Sequence, residues 1–392
     1  MLEIKQKPRL HASWIDPNAK EIVQALQRSG FTTYLVGGCV RDLLAGIHPK
    51  DFDIATNAEP NQVKRKVWGS YVIGRRFRLV LVKRGDQQYE VATFRREGTQ
   101  EDLDTLQQNA EAEENDAPAS ADNFFGTPEQ DAIRRDFTIN ALFYDPIKDE
   151  LIDYCHGMKD IESRTLRMIG DPAERIKEDP IRSLRAIRLT HKLGFQIEPT
   201  LRQAIHDNAA EVARSVLPRR REEYLKFLRL KDPVPAWMEM YDLGLIEHCL
   251  PSLVPVFSDP ERRDVFLSYI QRLNEICVDT GQPTQLLAPF VLGYIRAMDG
   301  HPQFKTLLES LLKDELMMFK AEQAVVMGAI DLMSQLPDTE SFLRRGHRRQ
   351  VAFLRNEMLP MTLRMAKVDC LISGAQYSFW VSQLNRLFDP QA

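Results

Sequence analysis

The hydrophobic pattern of this chain changes period once, near residue 156, and that change limits the folds open to it. Before it, short apolar or alternating runs lie between turn signals: TTYLV (32–36), DFDIA (51–55), RFRLVLVKRG (76–85) and QQYEVATFR (87–95). Runs of this length and period are strands, and Gly85-Asp86 marks a turn between the last two. Helical stretches are interleaved. Residues 17–29 start at Pro17 and stop at Gly30, CVRDLLAG (39–46) ends on Gly46, and PNQVKRKVW (60–68) opens on proline. DPIKDELIDY (145–154) reads as a further hairpin. After the change the spacing is helical almost to the end, as in DPIRSLRAIRLTHKLGF (179–195) and PRRREEYLKFLRL (218–230). The expected architecture is an α+β head domain over residues 1–155 followed by an all-α C-terminal region.

One segment inside the head interrupts this pattern. Residues 97–122 hold nine acidic and no basic side chains, which predicts a mobile acidic loop. At 392 residues the chain is long enough for two or three domains. No run of 18 apolar residues is present, so no membrane partner is expected. The N-terminus lacks the charged start and apolar core of a secretory signal. Five cysteines without C-x-x-C spacing argue against a disulfide framework, and a cytoplasmic location is expected. A net charge of −4 excludes a polycation but not local basic patches. Such clusters are Lys64-Arg65-Lys66, Arg75-Arg76 with Arg78, Arg219-Arg220-Arg221, and Arg344-Arg345 with Arg348-Arg349. Each suits nucleic-acid phosphates or a merely solvated face.

The pair Asp51 and Asp53 is unusual inside an apolar run. In a strand the two point the same way, with Phe52 and Ile54 opposite. Adjacent carboxylates repel unless a cation lies between them, and oxygen donors of this kind suit Mg²⁺. Gly37-Gly38 follows the strand at 32–36 and opens a helix, where glycine lets a phosphate approach and free N–H groups can bind it. Arg41, in the first turn of that helix, can pair with phosphate oxygens. Glu90 is either a third carboxylate or a charge on the solvent face of an edge strand.

These residues carry a family likeness. LVGGCVRDLLAGIHPKDFDIATNA (35–58), DNFFG (122–126), RRDFTINAL (134–142) and EDPIRSLRAIRL (178–189) resemble, in order, the motifs of the polymerase-beta-like nucleotidyltransferases. Within that group they resemble the class II tRNA CCA-adding enzymes and bacterial poly(A) polymerases. The resemblance implies a head with a mixed five-stranded sheet, a helical neck over 156–230 that reads the base and binds RNA, and a helical body and tail over 231–392. It implies transfer of a nucleoside monophosphate from an NTP to an RNA 3′ end, with Asp51 and Asp53 holding two Mg²⁺ (or Mn²⁺) ions and Glu90 beside them. It assigns Gly37, Gly38 and Arg41 to the nucleotide, and Arg135 and Asp136 to the neighbourhood of ribose and base. Asp179, Arg182 and Arg185, spaced by three, are taken to share one helix face on which Asp and Arg match the Watson–Crick edge of adenine. The other reading of that spacing is a surface salt bridge, worth about 0.2–0.5 kcal/mol. Arg219 matches an arginine that closes over the base. Asn140, His48 and His191 are read as structural.

The branches of the family differ after the metal pair. Poly(A) polymerases resemble G-[RK]-[RK]-F-[RK]-L there, and this chain has Gly74, Arg75, Arg76, Phe77, Arg78 and Leu79. The expected function is therefore template-independent addition of AMP from ATP to RNA 3′ ends of mRNA, small RNA or tRNA, with CCA addition to tRNA as the alternative. DNA is not expected as a partner. Arg75, Arg76 and Arg78 suit triphosphate or RNA backbone, or an exposed basic strand edge. RNA grip is expected at Arg344, Arg345, Arg348 and Arg349.

Overall fold

The computed structural model describes residues 3–8, 10–73, 79–98, 124–277 and 279–388. Gly74, Arg75, Arg76, Phe77 and Arg78, and residues 99–122 of the acidic segment, lie outside the described residues. The chain divides into two compact units, Met1–Arg175 with Leu193–Leu201, and Ile176–Lys192 with Arg202–Ala392. No helix among the described residues is long and apolar enough to cross a membrane.

The first unit is built on a mixed sheet. Its strands are β1 (Ile4–Gln6), β2 (Thr33–Val36), β3 (Asp53–Thr56), β4 (Ser70–Ile73), β5 (Leu79–Arg84) and β6 (Gln87–Thr93). A short ribbon follows, β7 (Arg95–Arg96) with β8 (Phe124–Phe125), and then the hairpin β9 (Leu142–Asp145) and β10 (Glu150–Asp153). The order is β1-β10-β9-β2-β3-β6-β5-β4, with β3 and β6 parallel and every other pair antiparallel. Among the described residues the sheet holds eight strands, where the resemblance implied five. The hairpin returns to extend one side, and β1 and β4 are too short to leave a readable period.

The helices α1 (Pro17–Arg28), α2 (Gly38–Leu44), α3 (Pro60–Lys66) and α4 (Pro128–Ile133) surround the sheet. Asp16 caps α1 by accepting from the backbone N–H groups of Asn18 and Ala19. That helix buries Ala19, Ile22, Val23 and Leu26. One face of the sheet, carrying Leu35, Ile54, Val80, Val82 and Val91, is fully buried, and α1 and α3 pack on these strands. On the other face Val36, Ala55, Phe143 and Ile152 share a core with Ala132 of α4 and Ile169.

The pairing registers draw one row across the second face. Lys5 lies opposite Ile152, Ile152 opposite Phe143, Phe143 opposite Val36, and Val36 opposite Asp53. The β3–β6 register sets Ile54 beside Val91, so one step back sets Asp53 beside Glu90. Glu90 lies opposite Leu81, and Leu81 opposite Tyr71.

The second unit is helical among its described residues. Helix α5 (Ile181–Leu193) begins within it, and α6 (Leu217–Leu228) has Pro218 in its first turn. Its core centres on Trp237, whose ring lies 5.8 Å from Phe227 and 5.3 Å from Phe290. A second aromatic group surrounds Trp380, 4.8 Å from Phe342, with its indole N–H donating to the Leu336 carbonyl at 2.9 Å.

Candidate functional site

The sequence pattern set Asp51 and Asp53 in one strand, but β3 starts at Asp53 and Asp51 precedes it. The alternation survives nonetheless: Asp51 and Asp53 are exposed while Phe52 and Ile54 are buried. Asp53 stands beside Glu90 on one face of the sheet. Burial, and then repulsion from Glu90, push its carboxyl up to about 6. Arg135 opposes that rise, Asp51 adds to it, and Arg41 opposes it.

This donor set suits a small hard cation. Among the described residues no three His, Cys, Asp or Glu side chains converge to cage an ion. Mg²⁺ does not require such a cage, because it keeps waters and is held by one or two carboxylates together with substrate phosphates. Such an ion would offset both causes of the rise, the burial that disfavours the charged Asp53 and the repulsion from Glu90.

Gly37 explains why a glycine ends β2. Its backbone has φ 70° and ψ −128°, a region closed to side chains. A Cβ there would lie 3.1 Å from Arg135 Nη1 and 3.9 Å from Asp53 Oδ2. The bare backbone therefore lets an arginine and a carboxylate approach from two later parts of the chain. Gly38 is similarly close to Arg41 Nη2, at 3.6 Å from its would-be Cβ.

Arg41 differs from the sequence picture of a residue directed at phosphate. It is buried, and Nε and Nη2 donate to Asp42 Oδ1 at 2.8 and 2.6 Å while Nη1 donates to Asn140 Oδ1 at 2.7 Å. Asn140 in turn donates to Asp136 Oδ1 at 2.9 Å. Asn140 thus links Asp136 to Arg41 of α2. Asp136 also accepts from the Phe137 N–H at 2.9 Å.

A pocket of about 280 Å³ opens beside Asp53 and Glu90 and is lined by Arg95, Asp131, Arg134 and Arg135. Asp131 organises it. Its Oδ1 accepts from Arg134 Nε and Nη2 at 3.0 and 2.8 Å and from the Arg95 N–H at 3.1 Å. Its Oδ2 accepts from Arg135 Nε and Nη2 at 3.1 and 2.8 Å. Burial raises this carboxyl, but the guanidinium groups of Arg135 and Arg134 outweigh it and leave it below the ordinary carboxylate value. Arg135 also donates to the Asn140 carbonyl at 3.0 Å and lies over the Phe143 ring at 5.3 Å. Three arginines facing two carboxylates across a small pocket can take a polyanion and a divalent cation together. Asp131, Arg134 and Arg95 have no counterpart among the residues singled out from sequence. The usable signal was the spacing of Asp131 to the Arg134-Arg135 doublet, three and four residues on, which is one helical turn.

The base-reading candidates belong to the second unit. Asp179 is not on the helix with Arg182 and Arg185, because α5 begins at Ile181. Proline at 180 disfavours helical backbone at the preceding residue. Asp179 instead accepts a bidentate pair from Arg219, both bonds 2.8 Å. Arg182 is buried and donates to Glu178 Oε2 at 2.8 Å. Arg185 lines a pocket of about 300 Å³ with Pro218, Arg219, Glu222 and Lys226. His191, read as structural, faces Glu239 Oε2 at 2.8 Å.

Of the C-terminal basic cluster, Arg344, Arg348 and Arg349 are exposed. Arg344 pairs with Glu340 at 3.0 Å, and Arg345 lies over the Phe353 ring at 5.3 Å.

Known proteins share these features. The model of the poly A polymerase head domain matches residues 33–167, and that of the probable RNA and SrmB-binding site of polymerase A matches residues 194–256. The chain is 42% identical over 246 residues to poly(A) polymerase I of Haemophilus influenzae, covering 62% of this chain and 53% of that protein. It is 33% identical over 274 residues to the CCA-adding enzyme of Lactobacillus delbrueckii subsp. bulgaricus, covering 68% of this chain and 66% of that one. The chain therefore spans about half the length of the poly(A) polymerases it matches. The crystal structure of the Bacillus stearothermophilus CCA-adding enzyme in complex with CTP shares the fold, with a TM-score of 0.59 at 24% identity over 96% of this chain and 83% of that one. With both family models matching in sequence order, this chain belongs to the family of poly(A) polymerases and CCA-adding enzymes.

Proposed function

We propose that the protein is a poly(A) polymerase, a template-independent nucleotidyltransferase that adds AMP from ATP to RNA 3′ ends and releases pyrophosphate. The observation that carries this reading is the pocket in which Asp53 and Glu90 face Arg95, Arg134 and Arg135. The greater identity to a poly(A) polymerase than to a CCA-adding enzyme supports adenylate addition over the alternative, CCA addition to tRNA.

In the reaction the RNA 3′-oxygen bonds to the α-phosphorus of ATP as the bond to the β-phosphate oxygen breaks. Asp51 and Asp53 would hold Mg²⁺ (Mn²⁺ also suits the oxygen donors), and Glu90 would complete the negative wall. When bound, the metal lowers the pKa of the attacking hydroxyl and offsets charge on the leaving group. Arg134 and Arg135, fixed by Asp131, hold the triphosphate in line. Gly37 and Gly38 keep the backbone clear for its approach, and Arg41 and Asp136 brace that turn through Asn140. Asp179 and Arg182 supply an acceptor and a donor suited to adenine, Arg185 lies beside them, and Arg219 moves from Asp179 onto the base. The helical segments 156–230 and 231–392 act as neck and as body with tail. Arg344, Arg345, Arg348 and Arg349 grip RNA, as do Arg75, Arg76 and Arg78. Substrates are RNAs of the cytoplasm.

Primer extension with each single NTP, on an unstructured RNA and on a tRNA lacking its 3′ end, tests this. Long A-tails on both RNAs with ATP alone are expected. Addition confined to C, C and A on the tRNA would establish the alternative.

A further inference from the structure

The turn from α3 into β4 holds an indole in solvent. Pro60 and Val63 of α3, and Val67 just after it, are buried, so the helix spends its apolar side on the sheet. Lys64, Arg65 and Lys66 are exposed, and the next side chain, Trp68, is 83% exposed. The chain then turns at Gly69, with φ 73°, where a Cβ would lie 2.9 Å from the Lys83 carbonyl oxygen and 3.2 Å from Arg84 Nη1. Three successive carbonyls of this turn are bonded. Ser70 Oγ donates to that of Val67 at 2.6 Å, Arg84 Nη1 to that of Trp68 at 2.6 Å, and the Lys83 N–H to that of Gly69 at 3.0 Å. The backbone under Trp68 is therefore fixed although its ring is open. The Arg84 guanidinium lies over that ring, 5.6 Å from its centre, on a side chain only 13% exposed. A ring fixed in this way loses little freedom when something stacks on it.

The surroundings indicate what stacks there. Arg84 reaches Glu21 at 4.0 Å, but among the described residues no carboxylate pairs with Lys64, Arg65 or Lys66. Cations in the last turn of a helix complement its dipole, which accounts for their position but not for an open indole beside them. The core of a protein interface is depleted in charge. A helix that lies on a membrane needs a free apolar face, and that of α3 is buried. An aromatic platform beside unpaired cations is instead the composition of a surface for single-stranded nucleic acid, whose bases stack while its phosphates meet the cations.

We propose that Trp68, with Lys64, Arg65 and Lys66, is a second RNA site on the head, where one unpaired base of the substrate stacks on the indole and the flanking phosphates meet the three cations. This rests on the proposed transfer to RNA 3′ ends. α3 packs on the Val80 and Val82 side of the sheet, opposite the face of Asp53 and Glu90. The site therefore takes a stretch of the strand remote from the reacting end and adds to affinity for long RNAs without entering the chemistry. Stacking tolerates any base, as an enzyme acting on many RNAs requires.

The test is binding of an unstructured RNA by the full chain, without ATP, read by anisotropy of a label on the RNA and by tryptophan fluorescence. Of the four tryptophans Trp237 and Trp380 are fully buried. Saturating RNA should quench the emission that Trp68 contributes, measured as the difference between wild type and Trp68→Phe. Trp68→Ala should weaken binding about tenfold. Trp68→Phe, which keeps a ring, guards against a folding defect and should stay within about threefold of wild type. Changing Lys64, Arg65 and Lys66 together to alanine should reduce the slope of log affinity against log salt by about 2, at about 0.7 per phosphate contact. In AMP transfer Trp68→Ala should raise KM for a long RNA and leave KM for ATP and for a very short primer unchanged. Wild-type affinity in Trp68→Ala would overturn the proposal, and so would an equal loss on blunt duplex RNA. Binding of anionic phospholipid vesicles that Trp68→Ala abolishes, at unchanged RNA affinity, would assign the surface to a membrane and overturn it too. Failure of the transfer reading appears separately, as absence of AMP incorporation by the wild type.

Discussion

Replacing Asp131 should disturb both stability and triphosphate binding, because one buried carboxylate holds two arginines. Asp131 is 2% exposed and accepts five hydrogen bonds, four of them from guanidinium groups. Charge-assisted bonds contribute about 1.5–3 kcal/mol each, but these are not additive, since Arg134 and Arg135 would recover water if released. The better guide is loss of one partner from a buried pair, about 3–5 kcal/mol. Asp131→Ala should therefore cost about 3–5 kcal/mol in urea denaturation. Asp131→Asn should cost about half of that, because one oxygen still accepts. The loss should depend on pH. The folded carboxyl lies below its ordinary value, so its contribution is present above the unfolded pKa of about 3.9 and fades as pH falls through the folded one. The gap between wild type and Asp131→Asn should be constant from neutral pH to about 5 and shrink below about 4. In AMP-transfer assays Asp131→Asn should raise KM for ATP about tenfold with KM for RNA unchanged. Stability within about 0.5 kcal/mol of wild type together with unchanged KM for ATP would refute the organising role given to Asp131.

Other substitutions probe separate links. Gly37→Ala forces a side chain into a φ of +70° and against Arg135 Nη1, so it should cost about 1–3 kcal/mol by thermal melting and slow transfer at least about tenfold. Asn140→Ala leaves Arg41 Nη1 without its acceptor and should lower stability by about 1–3 kcal/mol in denaturant titration. Arg219→Ala removes a partner of Asp179 from a side chain that is 53% exposed, so stability should move less than about 0.5 kcal/mol. The same variant should lose about tenfold in preference for ATP over CTP in competition assays.

The head was legible where local period decides structure. Alternation set Asp51 and Asp53 opposite Phe52 and Ile54, which matches their burial, and the helix at 17–29 was bounded by proline and glycine close to its observed limits. What stayed hidden depends on contacts between distant residues. Arg41 reads as free to meet phosphate until Asn140, 99 residues later, occupies one of its nitrogens. Asp179 and Arg182 read as one helix face because their spacing fits, but Pro180 delays the helix and Arg219, 40 residues on, takes the carboxylate. Strand β1, only three residues long, joins the sheet through pairing with β10. Asp131 was missed because its value lies in geometry toward three arginines, and no single-residue pattern encodes that.

The most direct test of the account is single-turnover AMP transfer from ATP to a saturating unstructured RNA with Mg²⁺, comparing wild type with Asp53→Asn at matched folding and RNA affinity. The account predicts that Asp53→Asn loses at least about a thousandfold in the transfer step, roughly 4 kcal/mol of transition-state stabilisation. Transfer within about tenfold of wild type would contradict the assignment of this carboxylate to the reaction centre.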